Sequence, residues 1–128
     1  MKQYIYALIT HKDRILMLQR PQHKRTNAGC WNLAGGKIEE GESDANCVQR
    51  EVSEETGLLF QPRKKILDRI YQATEPIRVA VFEGDTDIQD SDGKIRIRLE
   101  HEAYGWFTFD QARELEVMPY IKDLLESR

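Results

Sequence analysis

A double glycine followed by an acidic, helix-forming segment is the feature that most restricts how this chain folds. The stretch Gly35–Leu58 reads GGKIEEGESDANCVQREVSEETGL. Ser43 is a preferred N-cap residue, and Gly57 favours the left-handed conformation that ends many helices. The pattern therefore predicts a turn at the glycines and a helix over Asp44–Thr56.

Three glutamates lie on one face of this predicted helix, close to its C-terminal end. Glu51, Glu54 and Glu55 are spaced i, i+3 and i+4, so their side chains point the same way. Like charges four residues apart destabilise a helix by roughly 0.2–0.5 kcal/mol, and acidic groups at this end also oppose the helix dipole. Arg50 offsets part of the charge, but one guanidinium cannot neutralise three carboxylates. A hard divalent cation such as Mg²⁺ or Mn²⁺ is therefore expected here, because it prefers oxygen ligands.

The size and composition of the chain predict one cytoplasmic domain over residues 1–128. A chain of 128 residues can bury a core without disulfides or a structural metal. No apolar run is long enough to cross a membrane, and the first ten residues lack a signal-peptide pattern. Cys30 and Cys47 form no metal or redox motif. A net charge of −3 argues against nucleic acid as a partner, since such binding needs a basic surface.

Apolar and β-branched runs predict strands on both sides of the helix. They are Gln3–Thr10, Arg14–Gln19, Lys65–Thr74, Ile77–Glu83, Ile95–Leu99 and Ala103–Thr108. The first two are spaced as a short antiparallel hairpin. Further helices are predicted over Asp110–Leu115 and Pro119–Glu126, and Gly84–Gly93 reads as an acidic loop whose aspartates do not match a calcium-binding loop. Strands interspersed with helices predict an α/β fold with a mixed sheet.

The spacing of the central segment matches a known motif at every specified position. Its constrained residues are Gly36, Glu42, Arg50-Glu51-Val52, Glu54-Glu55 and Gly57-Leu58. This resembles the Nudix box, G-x5-E-x7-R-E-U-x-E-E-x-G-U, in which U is aliphatic. The flanks are similar as well, at Trp31-Asn32-Leu33, Val79–Gly84, Glu100-x-Glu102 and Trp106-Phe107. One departure is Ala34, where many relatives have proline; alanine leaves the turn less restricted.

The resemblance implies a Nudix-type α/β/α sandwich and a hydrolase of the MutT type. Such an enzyme would use Mg²⁺, with Mn²⁺ as a possible substitute, to cleave a nucleoside triphosphate to the monophosphate and pyrophosphate. Oxidised purine nucleotides are among the expected substrates. The alternatives are another nucleoside diphosphate derivative (dihydroneopterin triphosphate, a diadenosine polyphosphate, a nucleotide sugar or ADP-ribose) or a catalytically silent nucleotide sensor. The assembly is expected to be a monomer or a homodimer.

The resemblance also implies roles for the acidic residues. The metal ligands would be Glu51, Glu54, Glu55, Glu100 and the backbone carbonyl of Gly35. Arg50 would orient the carboxylates, and Glu42 would support the loop or the outer shell of the metal. Glu100 would act as a ligand or as the general base from outside the box, with Glu102 as the rival for that role.

Four residues outside the box are candidates for binding the substrate. Arg20 ends a predicted strand and is placed to reach a phosphate. Asn32 resembles an asparagine that reads the base edge in some purine-nucleotide members, although it is equally suited to capping the adjacent turn. Met118 and Tyr120 either flank a base or pack in the core. Three nearby aromatic residues are expected in the core: Trp31, Trp106 and Phe107.

Overall fold

The computed structural model describes residues 1–21, 28–88 and 103–127. The strands are β1 (Lys2–Leu8), β2 (Thr10–His11), β3 (Arg14–Gln19), β4 (Trp31–Asn32), β5 (Ala34–Lys37), β6 (Phe60–Tyr71), β7 (Ile77–Thr86) and β8 (Ala103–Phe107). The helices are α1 (Asp44–Thr56), α2 (Phe109–Arg113) and α3 (Pro119–Glu126). The predicted bounds of α1 and α3 are confirmed, because both helices carry clear start or stop residues.

Capping explains the bounds of α1. The Oγ atom of Ser43 accepts a hydrogen bond from the backbone N–H of Asn46 at 3.1 Å. At the other end Gly57 has a φ of 77° and its N–H donates to the carbonyl of Ser53 at 3.0 Å. Both caps satisfy backbone groups that have no partner inside the helix, so the sequence signals translate directly into the structure.

The first sheet has the strand order β5-β1-β7-β6 and is mixed. β1 runs parallel to β7 and antiparallel to β5, and β6 runs antiparallel to β7. In the second sheet β3 pairs antiparallel with β2, β4 and β8. The predicted mixed sheet is thus confirmed.

The predicted hairpin of Gln3–Thr10 with Arg14–Gln19 is only partly correct. The first run breaks at Ile9, so that β1 joins the first sheet and only β2 pairs with β3. Lys12 and Asp13 both have positive φ values, 52° and 62°, as a two-residue hairpin turn requires. The chain changes sheets at Ile9, and β1 lies between β5 and β7 in the first sheet.

Two predicted boundaries in the middle of the chain are corrected by the structure. The strand predicted over Lys65–Thr74 begins at Phe60 and ends at Tyr71, and it accommodates Pro62 because β6 is an edge strand whose register shifts at that point. β7 continues to Thr86, so the start of the predicted loop Gly84–Gly93 is strand. Asp87 and Ile88 follow the strand as loop, with Asp87 Oδ1 accepting a hydrogen bond from the Leu59 N–H at 2.9 Å, as predicted for this segment. Residues 89–93 of that loop and the predicted strand Ile95–Leu99 lie outside the described residues.

Helices cover both faces of the sheets. Cys47, Val48 and Val52 of α1 are fully buried against residues such as Ile5 of β1. On the opposite face α2 and α3 pack in a second cluster that includes Tyr6 and Val81. This α/β/α arrangement is the one expected from the resemblance. Within the described ranges, no helix has the length and apolarity needed to cross a bilayer.

An ion-pair cluster fastens the start of α1 to the first sheet. The guanidinium of Arg78 donates to both carboxylate oxygens of Asp44, at 2.7 and 3.1 Å, and to Oδ2 of Asp68 at 2.9 Å. Lys65 Nζ lies 3.1 Å from Asp44 Oδ2. The hydrogen bond from Arg78 is the main cause that lowers the pKa of Asp44 to about 2.

We expect Asp44→Asn to reduce the free energy of unfolding at pH 7 by about 2 kcal/mol, since a charge-assisted bidentate pair is lost. A carboxyl group whose folded pKa lies below its unfolded pKa stabilises the protein above the unfolded value, near 4. That contribution is lost as the pH falls toward 2. The free energy of unfolding of the wild type, measured by urea denaturation, should therefore fall between about pH 5 and pH 2. In the variant the fall over this range should be shallower.

Asp110→Asn is the matched control, because the Asp110 side chain is 96% exposed and pairs with Arg113 on its own helix. It should change the unfolding free energy by less than about 0.5 kcal/mol. Identical pH profiles for wild type and Asp44→Asn would contradict the prediction.

Candidate active site

The glycine pair of β5 lies directly against the C-terminal half of α1. The backbone N–H of Gly35 donates a hydrogen bond to Oε1 of Glu55 at 2.7 Å. A methyl group added at Gly36 would lie 2.5 Å from the carboxyl carbon of Glu51. Gly35 has a φ of 152°, and a methyl group there would lie 2.2 Å from the carbonyl oxygen of Ile5. The double glycine therefore allows one strand to approach both β1 and the acidic face of the helix.

Arg50 connects the acidic residues of this region. Its Nε and Nη2 atoms donate to the two carboxylate oxygens of Glu42, at 2.7 and 3.0 Å. Its Nη1 atom donates to Oε1 of Glu51 at 2.9 Å and, more weakly, to Oε2 of Glu54 at 3.4 Å. The Nη2 atom also donates to the backbone carbonyl of Lys37 at 3.3 Å. One guanidinium thus orients two carboxylates of α1 and ties them to the preceding loop.

The pairing of Arg50 with Glu42 alters the pKa of both groups. The hydrogen bond from Arg50 is the first cause that lowers the pKa of Glu42 to about 2. The same bond raises the pKa of Arg50 above its usual range. Glu42 also accepts a hydrogen bond from the backbone N–H of Glu39 at 3.0 Å. These contacts match the loop-supporting one of the two roles expected for Glu42.

The three clustered glutamates differ in exposure. Glu55 is 5% exposed, whereas the side chains of Glu51 and Glu54 are 14% and 43% exposed. The carboxylates therefore extend from the protein interior to the solvent along one helix face. A buried carboxylate needs compensation, which the Gly35 N–H partly supplies for Glu55.

The oxygen atoms of this region are suitable ligands for a hard divalent cation. Three carboxylates and the carbonyl of Gly35 offer only oxygen atoms, the ligands that Mg²⁺ prefers. In the parts of the chain that the structure describes, no three acidic, histidine or cysteine side chains lie close enough together to hold a metal ion as they stand. In this arrangement Arg50 neutralises the carboxylates of Glu51 and Glu54.

A second group of predicted residues meets where β4 contacts the start of α3. The backbone N–H of Trp31 donates to the carbonyl of Glu116 at 2.8 Å, and that of Met118 donates to the carbonyl of Trp31 at 3.1 Å. Oδ1 of Asn32 accepts hydrogen bonds from the Leu33 N–H at 2.8 Å and from the Tyr120 hydroxyl. The structure therefore brings Asn32, Met118 and Tyr120 together although they are distant in sequence.

Tyr6 is the residue of this group that the sequence did not reveal. Its ring stacks on Tyr120 with the centroids 4.7 Å apart and the planes 15° apart. Burial raises the pKa of Tyr6, and the contact with Asn32 acts in the opposite direction. A tyrosine inside an apolar strand reads as core, and only the pairing of strands places its hydroxyl next to the amide.

Glu55 links the two groups of residues. After burial as the first cause, its negative charge further raises the pKa of both Tyr6 and Tyr120. Glu55 also accepts from Gly35, which lies opposite Tyr6 in the β1–β5 register. The acidic face of α1 and the Asn32 amide therefore border one region of the molecule.

The remaining predicted residues fall into three situations. Arg20 pairs through its backbone with Cys30 and lies near enough to Tyr6 for its charge to lower that pKa. Trp31 packs edge-on against Phe107 with the ring centroids 5.0 Å apart, and both are partly buried against the core cluster rather than inside it. The predicted ligand or base Glu100 and its rival Glu102 lie outside the described residues.

The family model of the NUDIX domain matches residues 3–126. The chain belongs to the Nudix family. The members of this family are enzymes that act on nucleoside diphosphate derivatives. They generally use divalent metal ions. The box residues of the family are the ones that meet at the contact between β5 and α1.

Several known Nudix proteins are similar over most of the chain. The structure of a MutT protein from Methanosarcina mazei Go1 superimposes with a TM-score of 0.84 at 32% identity, covering 98% of this chain and 91% of that one. The CTP pyrophosphohydrolase of Escherichia coli (strain K12) is 28% identical over 127 residues, which are 99% of this chain and 90% of the relative. The asymmetrical bis(5′-nucleosyl)-tetraphosphatase of Sus scrofa is 29% identical over 102 residues, 75% of this chain and 67% of the relative.

We expect Gly36→Ala to lower the hydrolytic rate by about 10- to 100-fold while leaving the unfolding midpoint nearly unchanged. The three heavy atoms nearest to the added methyl group all belong to the flexible carboxylate end of Glu51, which would have to move away from the strand. Small displacements of a catalytic group have effects of this size on rate. Steady-state kinetics and thermal unfolding of the same preparation measure the two quantities.

Gly41→Ala is the control with the opposite expectation. Gly41 has a φ of 79° and no heavy atom within 4 Å of an added methyl group, so alanine strains only the backbone. It should reduce stability by about 1 kcal/mol and spare the rate. If the hydrolytic rate fell in proportion to the loss of stability in both variants, Gly36 would matter only for folding.

Proposed function

We propose that this chain is a Mg²⁺-dependent pyrophosphohydrolase that cleaves a nucleoside triphosphate to the nucleoside monophosphate and pyrophosphate. The substrates proposed include oxidised purine nucleotides. A cytoplasmic setting is proposed with it, in agreement with the free, buried thiols of Cys30 and Cys47. The protein would work as a monomer or a homodimer on a small-molecule nucleotide, without nucleic acid or membrane partners.

The observation that carries this proposal is the position of Glu55 between two chemically different regions. On one side the Gly35 N–H holds its carboxylate beside the acidic face of α1. On the other side its charge acts on Tyr6 and Tyr120, which contact the Asn32 amide. An acidic, cation-suited region next to a polar and aromatic region suits a ligand with a polyphosphate at one end and a base at the other.

The acidic region would hold the cation. Glu51, Glu54, Glu55 and the carbonyl of Gly35 are the proposed ligands for Mg²⁺ or its substitute Mn²⁺. The bound cation would screen the polyphosphate charge and lower the pKa of the attacking water. Arg50 would keep the carboxylates oriented, since it already contacts two of them and is itself fixed by Glu42 on the other side.

The proposed reaction is attack of water on phosphorus. An oxygen–phosphorus bond forms at either the α- or the β-phosphorus, and the bond from that phosphorus to the bridging oxygen breaks, so that the nucleoside monophosphate and pyrophosphate separate. The water proton passes to a general base. Glu100 is the proposed base or further ligand, with Glu102 as the rival.

Three residues would position the substrate beside this centre. Arg20 carries a positive charge near Tyr6 and is proposed to contact a phosphate. Met118 is partly buried and joined to Trp31 through the backbone, which suits packing against a base. Tyr120 is only 3% exposed, so we propose that it contributes to binding indirectly, through the hydrogen bond from its hydroxyl to the Asn32 amide.

The similarity to the Escherichia coli CTP pyrophosphohydrolase supports a nucleoside triphosphate as the substrate, because it extends over nearly the whole of both chains. The similarity to the Sus scrofa tetraphosphatase favours a dinucleoside polyphosphate as the second candidate. Both substrates contain the same phosphoric anhydride, so the acidic region alone does not choose between them.

A substrate panel with product identification tests the proposal. It should contain the common and oxidised nucleoside triphosphates, dihydroneopterin triphosphate, a dinucleoside tetraphosphate, a nucleotide sugar and ADP-ribose. Hydrolysis in ¹⁸O-water shows which phosphorus is attacked, because the label enters the nucleoside monophosphate after attack at the α-phosphorus and pyrophosphate after attack at the β-phosphorus. Tight nucleotide binding without hydrolysis of any compound would favour a sensor instead.

We expect Glu54→Gln to reduce the Mg²⁺-dependent rate by at least about 100-fold, since even outer-shell partners of a metal can be worth that much. The side chain is 43% exposed and its bond to Arg50 is long, so the unfolding free energy should change by less than about 0.5 kcal/mol. Isothermal titration with Mg²⁺ should show weaker binding in the same variant.

Glu40→Gln is the control for loss of a negative charge in the same segment. Glu40 is exposed and occupies an unspecified position of the box. Its replacement should leave the rate and Mg²⁺ binding within about twofold of wild type. Full activity in Glu54→Gln would exclude this glutamate from the metal site.

A further inference from the structure

The two ends of the loop before α1 are attached to neighbouring strands at one register pair. The loop covers residues 38–43, and at its start the backbone N–H of Ile38 donates to the carbonyl of Gln3 in β1 at 2.9 Å. The loop leads into Asp44, the first residue of α1, whose carboxylate accepts two hydrogen bonds from Arg78 in β7. Gln3 and Arg78 are partners in the parallel β1–β7 register. One pair of residues in the first sheet therefore closes the base of the loop.

Arg78 uses its whole guanidinium at this base. Its Nη1 and Nη2 atoms donate to the two carboxylate oxygens of Asp44, and Nη1 also donates to the side-chain oxygen of Gln3 at 3.0 Å. Its Nε and Nη2 atoms donate to the two carboxylate oxygens of Asp68, at 3.0 and 2.9 Å. A guanidinium has five N–H donors, and here each has an acceptor. Because the Arg78 side chain is only 18% exposed, water competes little for these bonds.

The middle of the loop has little support from the rest of the protein. Glu39, Glu40 and Gly41 are exposed, and a methyl group added at Gly41 would have no heavy atom within 4 Å. An open crevice of about 400 Å³ lies between the loop and the first residues of the chain. Glu39 and Glu42 hydrogen-bond to each other within the loop. The conformation of the loop therefore depends on its two ends and on Arg50.

The loop in turn sets the position of the acidic face of α1. Glu42 accepts two hydrogen bonds from Arg50, and the carbonyl of Lys37, just before the loop, accepts another. The same guanidinium contacts Glu51 and Glu54. A shift of the loop would therefore move Arg50 and, with it, the carboxylates proposed to bind the metal ion.

We propose that Arg78 is a positioning residue of this hydrolase: by closing the base of the loop over residues 38–43, it holds Glu42 and Arg50 where they orient the metal-binding glutamates. The inference rests on the proposed function, because it takes those glutamates as ligands. Arg78 contacts the first residue of α1, whereas the acidic face lies on the C-terminal half of the helix. It therefore acts through Asp44 and the loop.

Arg78→Met tests this role, because it removes the guanidinium and keeps an unbranched side chain in β7. We expect kcat to fall by about tenfold with KM within about twofold of wild type, since the catalytic groups are displaced while the substrate contacts remain. Mg²⁺ binding, measured by calorimetry, should weaken by about tenfold. Amide hydrogen exchange should become faster at Glu39 and Glu42, whose N–H groups are bonded within the loop. Exchange is measured without metal or substrate, so failure of the proposed reaction is distinguishable from failure of this inference.

Arg78→Lys separates the geometry of the side chain from its charge. Lysine keeps the positive charge but lacks the planar fork that spans Asp44, Gln3 and Asp68. It should recover part of the stability lost in Arg78→Met, while kcat stays low and exchange in the loop stays fast. The lysine variant also keeps the comparison available if the loss of charge unfolds Arg78→Met.

Asp68→Asn is the matched control, because it weakens the contacts of the same guanidinium on the side that leads to β6. It should lower the urea midpoint of unfolding, yet leave kcat, Mg²⁺ binding and exchange in the loop within about twofold of wild type. A wild-type kcat in both Arg78 variants, unchanged exchange at Glu39 and Glu42, or an equal loss of kcat in Asp68→Asn would each overturn the inference.

Discussion

The close approach of β5 to α1 is the constraint on which the rest of the structure depends. Two adjacent residues without side chains allow a strand to lie between β1 and a helix face that carries three carboxylates. A methyl group at Gly35 would overlap the backbone of β1, and one at Gly36 would displace Glu51. The hydrogen bond from Gly35 to Glu55 then fixes the helix against the strand at the position where the charge is most deeply buried.

The electrostatics of the site follow from this packing. Carboxylates held close together near a helix C-terminus repel one another and the helix dipole, so they need a cation. In this structure Arg50 supplies part of it, and Glu42 fixes Arg50 from the opposite side. The end of α1 is thus a weak structural element whose acidic face is held in place by Arg50 and the loop before the helix. The more distant Asp44–Arg78 pair keeps the other end of α1 in place.

The region around Asn32 depends on a different kind of interaction. Around Asn32 the groups are neutral and partly or fully buried, and their hydrogen bonds have definite donors and acceptors. Glu55 lies beside both regions, because it accepts a hydrogen bond from Gly35 and its charge raises the pKa of both Tyr6 and Tyr120.

The sequence by itself determined the helix, its caps and the residues on its acidic face, because these depend on contacts a few residues apart. The bounds of α1 and α3 and the Nudix family membership were all readable in this way. Only the tertiary structure decided which sheet each early strand joins, where β6 begins, and that Tyr6 and Tyr120 meet at Asn32. These features depend on pairings between residues up to 88 positions apart, whose partners leave no local periodicity in the sequence.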